Sequence, residues 1–335
     1  MSRPIRRQTV RREVLAAGAA FLSTLPVLAA CGGATASPAT SPSAEGAGTP
    51  APAEGRAAPQ LPATVVDATG QTVTVTSIER LVGLGGSVTE TLYALGLGRH
   101  LVAADTSSYY PPEVARLPKV GYVRTLAAEG VLSLSPTAIA GTEEAGPPAA
   151  IEQLRGASVP VVLAPDPPTL EAPAKKISLL AQALGVPGRA RALLAELEAD
   201  LARARQVVAA ARTKPRVLFL YVRAGGTQSA AGRETQPGAM IEGAGGINAG
   251  AEAGITGFQP ITAEAVVVAR PDVLLAFTRG LEAIGGVDAL MALPGIAQTP
   301  AGQARRVVHL DDLYLGGMGP RTGKALLDLA RALHG

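Results

Sequence analysis

Two stretches of this chain repeat one another 135 positions apart, and the repeat restricts the fold more than any other feature of the sequence. The first copy reads Leu126-x-Ala128-Glu129-x-Val131-Leu132, followed by Pro136. The second reads Ile261-x-Ala263-Glu264-x-Val266-Val267, followed by Pro271. Each copy predicts a short helix opened by a glutamate and stopped before a proline, then an apolar strand, Thr137 to Ala140 in one and Asp272 to Ala276 in the other. Two such copies imply two similar lobes, and proteins of that build commonly hold a ligand between the lobes. Four identities in eleven positions also fit two unrelated helix-proline-strand junctions, so other features must decide.

The first part of the chain does not belong to the fold. Arg3, Arg6, Arg7, Arg11 and Arg12 precede a mostly apolar run from Val14 to Ala30, the pattern of an export signal peptide at residues 1–31. Gly18 and Pro26 interrupt that run, which is too short for a membrane span. It ends in Leu28-Ala29-Ala30-Cys31, a bacterial lipobox, in which cleavage leaves Cys31 as the first residue and its thiol takes a diacylglycerol. Arg11-Arg12-Glu13-Val14-Leu15 resembles a twin-arginine export signal, and ordinary secretion fits as well. Cys31 is the chain's one cysteine, as expected of an exported protein using neither disulfides nor thiol chemistry. Residues 32–61 are Ala, Pro, Ser, Thr and Gly with almost no large apolar side chains, a composition that cannot offset the entropy of ordering. They read as a tether holding the folded part at the outer face of the cytoplasmic membrane. The formal charge of +3 counts the signal-peptide arginines, so the mature chain is near neutral, without a basic run for nucleic acid.

From Thr64 to Val75 two β-rich runs flank an Asp-to-Gly turn and predict a hairpin. Strands and helices then alternate, which implies βαβ units and parallel sheets with ligands beyond the carboxyl ends of the strands. Leu194, Leu197, Leu201, Ala204 and Val208 form one stripe at helical spacing in a stretch free of proline and internal glycine. The expected organisation is an N-terminal lobe at 62–187, a linking helix at 188–212 and a C-terminal lobe at 213–335. The fold class is α/β, each lobe having a parallel-type sheet flanked by helices.

Several motifs fail on inspection. Gly83-x-Gly85 with Asp105 imitates a dinucleotide fingerprint, but Val88 stands at the third glycine position. His100, His309 and His334 lack partners at metal-ligand spacing and read as surface or helix-end residues. No nucleophile elbow is present, and Ser87 reads as the cap of the following helix. What remains is a pair of Tyr-x-Arg segments, Tyr122-Val123-Arg124 before the first repeat helix and Tyr221-Val222-Arg223 at the end of the second lobe's first strand. A guanidinium beside a phenol favours the anionic oxygen, a hard ligand for ferric iron, and tyrosine is an axial ligand of haem. Spacing alone fits equally well two tyrosines packed at a rim with their arginines in solvent.

The run from Val120 to Leu134, continuing through Gly141-Thr142-Glu143-Glu144-Ala145-Gly146-Pro147-Pro148, resembles the haem-binding subfamily of bacterial ABC-importer substrate-binding proteins. Thr278 to Gly286, and Asp311 to Tyr314 with Met318 to Thr322, resemble it too. The resemblance implies the class III fold shared with vitamin B12 and siderophore binders, two α/β lobes joined by one long helix. It further implies haem as the transported ligand, Tyr122 as iron ligand, and Arg124 and Arg279 near the iron or the propionates. Tyr221 is implied as a second axial ligand or as the ligand of a second stacked haem, with Arg223 beside it. Glu129 and Glu264 match the glutamates that dock onto arginines of the permease dimer with its ATPase, although both also suit the dipole at a helix N-terminus. The expected molecule is a monomeric, lipid-anchored receptor that catalyses no reaction. A ferric siderophore or cobalamin receptor of the same fold is the near alternative, and a haem-handling enzyme or redox lipoprotein the distant one.

Overall fold

The computed structural model describes residues 58–225 and 228–335. The signal peptide, Cys31 and most of the tether lie outside the described residues. The tether's last residues rest on the fold, with the Gln60 N–H donating to the Gly185 carbonyl at 2.8 Å.

The hairpin pairs β1 (Ala63–Val66) with β2 (Thr72–Val75) in antiparallel register. Asp67 shapes its turn by accepting the N–H groups of Thr69 at 2.9 Å and Gln71 at 3.1 Å. The N-terminal lobe follows as β3 (Leu81–Leu84), α1 (Gly86–Ala94), β4 (Leu101–Ala104), α2 (Ala128–Leu132), β5 (Ala138–Thr142), α3 (Pro148–Gly156), β6 (Val161–Ala164) and α4 (Ala172–Ala183). Its strands form one parallel sheet in the order β4-β3-β5-β6. β3, β5 and β6 are buried at every position, so they read as unbroken apolar runs rather than alternating ones. The expectation for Ser87 is corrected here. Helix α1 begins at Gly86 without a side-chain cap, and the Ser87 hydroxyl instead accepts from the Lys176 ammonium at 2.8 Å. Helix α4, not expected from the sequence, carries Pro173 at its start. In the first turn of a helix the missing proline N–H removes no bond.

Helix α5 (Pro187–Ala210) is the long connection, about 36 Å at 1.5 Å per residue. Leu197, Leu201 and Ala204 of the expected stripe are buried, with Leu194 and Val208 packed beside them.

The C-terminal lobe runs β7 (Arg216–Val222), β8 (Gln228–Ala231), α6 (Gln236–Gly243), β9 (Ile247–Asn248), α7 (Ala249–Glu252), β10 (Phe258–Pro260), α8 (Ala263–Ala269), β11 (Val273–Phe277), α9 (Thr278–Ala283), α10 (Gly286–Met291), α11 (Pro300–Gln303), β12 (Val307–Leu310), α12 (Asp312–Gly316) and α13 (Thr322–His334). Strands β9, β7, β11 and β12 are parallel, while β8 and β10 add an antiparallel edge. The connection from Val222 to Gln228 is too short for a crossover helix, so β8 can only return antiparallel.

Helix α13 lies along α5 so closely that a Cβ on Gly323 would meet the Leu197 carbonyl and the Asp200 Cβ at 2.7 Å. Leu180 of α4, Leu197 of α5 and Leu329 of α13 thus share one core that runs through both lobes. The outer face of each sheet has its own cluster, with Val131 and Ile139 in one and Val266 and Leu274 in the other. The repeat helices supply Val131 and Val266, matched positions of the two copies.

Candidate functional site

The loops that follow β3, β4, β11 and β12 meet where the lobes join, so the carboxyl ends of strands from both sheets converge on one place. Tyr109, beyond β4, bridges the junction. Its hydroxyl donates to both Asp311 carboxylate oxygens at 3.1 Å and accepts the Leu313 N–H at 2.7 Å. Burial and the Asp311 charge push this phenol well above its ordinary pKa, so it serves as a neutral donor. Asp311 in turn caps α12 by accepting from Leu313 and Tyr314.

Beside it Arg321, from the C-terminal lobe, grips Glu90 of α1 with two bonds of 2.8 and 2.9 Å. Its guanidinium also stacks on Tyr110 at 3.5 Å and lies 5.0 Å from the Tyr314 ring centre. Burial works against the charged Arg321, but the bond and charge of Glu90 outweigh it and raise its pKa. Lys176 of α4 is wholly buried and donates to Ser87 at 2.8 Å, Asp166 at 2.6 Å and the Met318 carbonyl of the other lobe at 3.0 Å. The junction is therefore a floor of paired polar groups.

Tyr122 lies on the segment that comes back beside the carboxyl end of β4. The chain returns there because Val120 donates to Ala104 and Thr106 donates to Gly121, whose φ of 95° turns the backbone outward. Tyr122 is 46 % exposed, and its hydroxyl has no hydrogen-bond partner among the described residues. Arg124 does not bond to it. Arg124 pairs with Glu144, beyond β5. In the other lobe the expected pair is joined: Arg223 donates Nε at 2.9 Å, and Nη2 as well, to the Tyr221 hydroxyl. The Tyr221 ring rests edge-on against Phe258 at 6.0 Å and Phe277 at 5.9 Å, both of which also flank Phe219. Arg279 follows Phe277 by two residues and lays its guanidinium on the Tyr109 ring at 3.5 Å. Its backbone N–H donates to Asp312 at 3.3 Å. Burial raises the Asp312 carboxyl pKa against the pull of Arg279.

Glu129 and Glu264 are both exposed, each at the second position of its repeat helix. A bond from its own backbone N–H, then one from the Thr262 hydroxyl, holds Glu264 below the usual carboxylate range.

The model of the periplasmic binding protein family matches residues 81–314. The chain belongs to that family. Its fold is the class III form, and among solved structures it resembles the periplasmic haem-binding protein RhuT from Roseiflexus sp. RS-1 in apo form. The two are 52 % identical with a TM-score of 0.74, over 76 % of this chain and 97 % of that one. It also resembles the haem-binding protein HmuT, at 34 % identity and a TM-score of 0.77, over 84 % and 93 % of the two chains. The uncharacterised ABC transporter substrate-binding lipoprotein YvrC of Bacillus subtilis is 28 % identical over 281 residues, 82 % of this chain and 86 % of that protein.

Within this family member, sequence reasoning missed the junction floor of Glu90, Tyr109, Tyr110, Lys176 and Arg321, and the wall residue Phe258. Tyr109-Tyr110 before two prolines was the available cue, since the chain has six tyrosines and no tryptophan.

Proposed function

We propose that the protein is a lipid-anchored extracytoplasmic receptor that takes haem at the strand ends between its lobes and delivers it to an ABC permease. The observation that carries this reading is the 52 % identity with the haem-binding RhuT chain, nearly all of which is covered. The site chemistry supports it. Tyr122 offers an exposed phenol oxygen to ferric iron, and the edge-on aromatic group of Tyr221, Phe258 and Phe277 offers apolar surface to a porphyrin. Arg279, held over Tyr109, and Arg124 suit propionates, and Arg223 donates to the Tyr221 oxygen. Glu129 and Glu264 would meet basic residues of the permease dimer. Cys31 would carry the lipid, the chain would act as a monomer, and no reaction would be catalysed.

The same fold could carry a corrinoid or a ferric siderophore. Titrating the protein with hemin, cyanocobalamin and a ferric hydroxamate separates the readings. Haem capture predicts a Soret band that saturates with hemin and tight binding of neither other ligand. Saturable binding of cyanocobalamin or of the hydroxamate, with no Soret change on adding hemin, would replace this reading.

A further inference from the structure

The two repeat helices share a hydrogen-bonded base that their sequences do not reveal. Each is followed at the matched position by a residue in the left-handed region, Ser135 at φ 48° and Arg270 at φ 44°. Ser135 donates to the Leu132 carbonyl and Arg270 to that of Val267, equivalent positions of the two copies. An arginine at the start of each lobe's first strand then closes the helix end. Arg80 donates Nε at 3.1 Å and Nη2 at 2.6 Å to the Leu134 carbonyl, with a further bond of 3.0 Å to Ser135. Arg216 donates Nε at 3.1 Å and Nη2 at 2.9 Å to the Ala269 carbonyl, the equivalent of Leu134. The backbone of each arginine is tied to the next strand in the same way. Thr137 donates to Arg80 O at 2.9 Å while the Arg80 N–H donates to the Thr137 hydroxyl at 3.0 Å. Asp272 donates to Arg216 O at 2.8 Å while the Arg216 N–H donates to the Asp272 carboxylate at 2.8 Å.

Leu134 and Ala269, Ser135 and Arg270, and Thr137 and Asp272 differ as residue types, yet the contacts coincide. Helices this short do not hold themselves, because nucleation is costly and their last carbonyls lack partners. A cationic fork on the carbonyls just past α2, and on the last carbonyl of α8, satisfies them and opposes the negative end of the dipole. Both forks come from the entrance of strands inside their sheets: Arg80 immediately precedes β3, between β4 and β5, and Arg216 opens β7, between β8 and β11.

We propose that Arg80 and Arg216 are positioning residues that fix the helices bearing Glu129 and Glu264 to the central strands, so that both carboxylates are presented at matched height to a two-fold symmetric membrane partner with basic contacts. This rests on the docking role of the two glutamates. The arginines lie at the helix ends opposite the glutamates and act through the helix. Arg216 is further braced by an ion pair with Glu252.

The test uses the full chain with Arg80→Ala, Arg216→Ala, the double variant, and Arg→Lys at each site should an alanine variant not fold. Hydrogen exchange is followed over 128–135 and 263–270. Receptor-stimulated ATP hydrolysis is measured with the permease dimer and its ATPase in proteoliposomes. Exchange should quicken about tenfold over 128–135 in Arg80→Ala only, and over 263–270 in Arg216→Ala only. Hemin binding should be unchanged, and the receptor concentration for half-maximal ATP hydrolysis should rise about tenfold in the double variant. Lysine, which cannot fork, should give a smaller shift in the same direction. Faster exchange throughout a lobe, or local loosening with no change in half-maximal concentration, would overturn the proposal. A Glu129→Gln/Glu264→Gln control that stimulates normally would instead remove the docking role itself.

Discussion

The two tyrosines expected to face the ligand stand in opposite conditions. Tyr122 is half exposed on a turned-out loop, its hydroxyl unpartnered among the described residues and its arginine turned away to Glu144. Tyr221 sits on a strand, wedged against Phe258 and Phe277, with its oxygen already receiving Arg223. A new bond to iron costs Tyr122 little, since no existing contact is lost. For Tyr221 the same bond must share or displace Arg223. Under the proposed function the N-terminal wall would offer a ligand atom, and the C-terminal wall a shaped apolar surface with a secondary ligand. The junction floor of Glu90, Arg321, Tyr109 and Asp311 keeps the two walls in register.

The largest effect is expected at that floor. Glu90→Ala leaves the guanidinium of Arg321 in a largely buried setting without its carboxylate, and should lower unfolding free energy by about 3 kcal/mol in urea titration. If stability is retained, the floor does not hold the walls and their comparison loses its frame. Next comes Phe258→Ala, which removes one edge-on partner of Tyr221. It should cost about 1 kcal/mol of stability and weaken hemin binding severalfold, while Tyr122 still ligates. Binding as tight as in the parent would mean that the aromatic wall does not touch the porphyrin. The smallest effect is expected from Glu144→Gln, which releases Arg124. Both partners are solvent-exposed, so stability should change by less than about 1 kcal/mol. Hemin affinity should stay level or rise slightly, and a marked loss would show that Glu144 contributes to the site.

The alternation of strands and helices, the long helix and the repeat were all legible, because each leaves a periodic trace. Leu197, Leu201 and Ala204 are buried as their spacing implies. The antiparallel edge at β8 was not legible, since Gln228-Ser229-Ala230-Ala231 has neither β-branched residues nor alternation. The floor was hidden for a different reason. Tyr109 and Asp311 are 202 positions apart, and Glu90 and Arg321 231 apart, and such pairs carry no local pattern. Both Tyr-x-Arg pairs were visible as residues. Their unlike partners were not, because Glu144 and Phe258 reach them only through the fold.

The claim that the two walls differ in role is tested most directly by titrating hemin into Tyr122→Phe and Tyr221→Phe side by side, following the Soret and charge-transfer bands. Tyr122→Phe should lose the tyrosinate-iron signature and at least tenfold in affinity, about 1.4 kcal/mol. Tyr221→Phe should keep the signature and lose only severalfold. The reverse order, or an unchanged spectrum and affinity in Tyr122→Phe, would contradict the account.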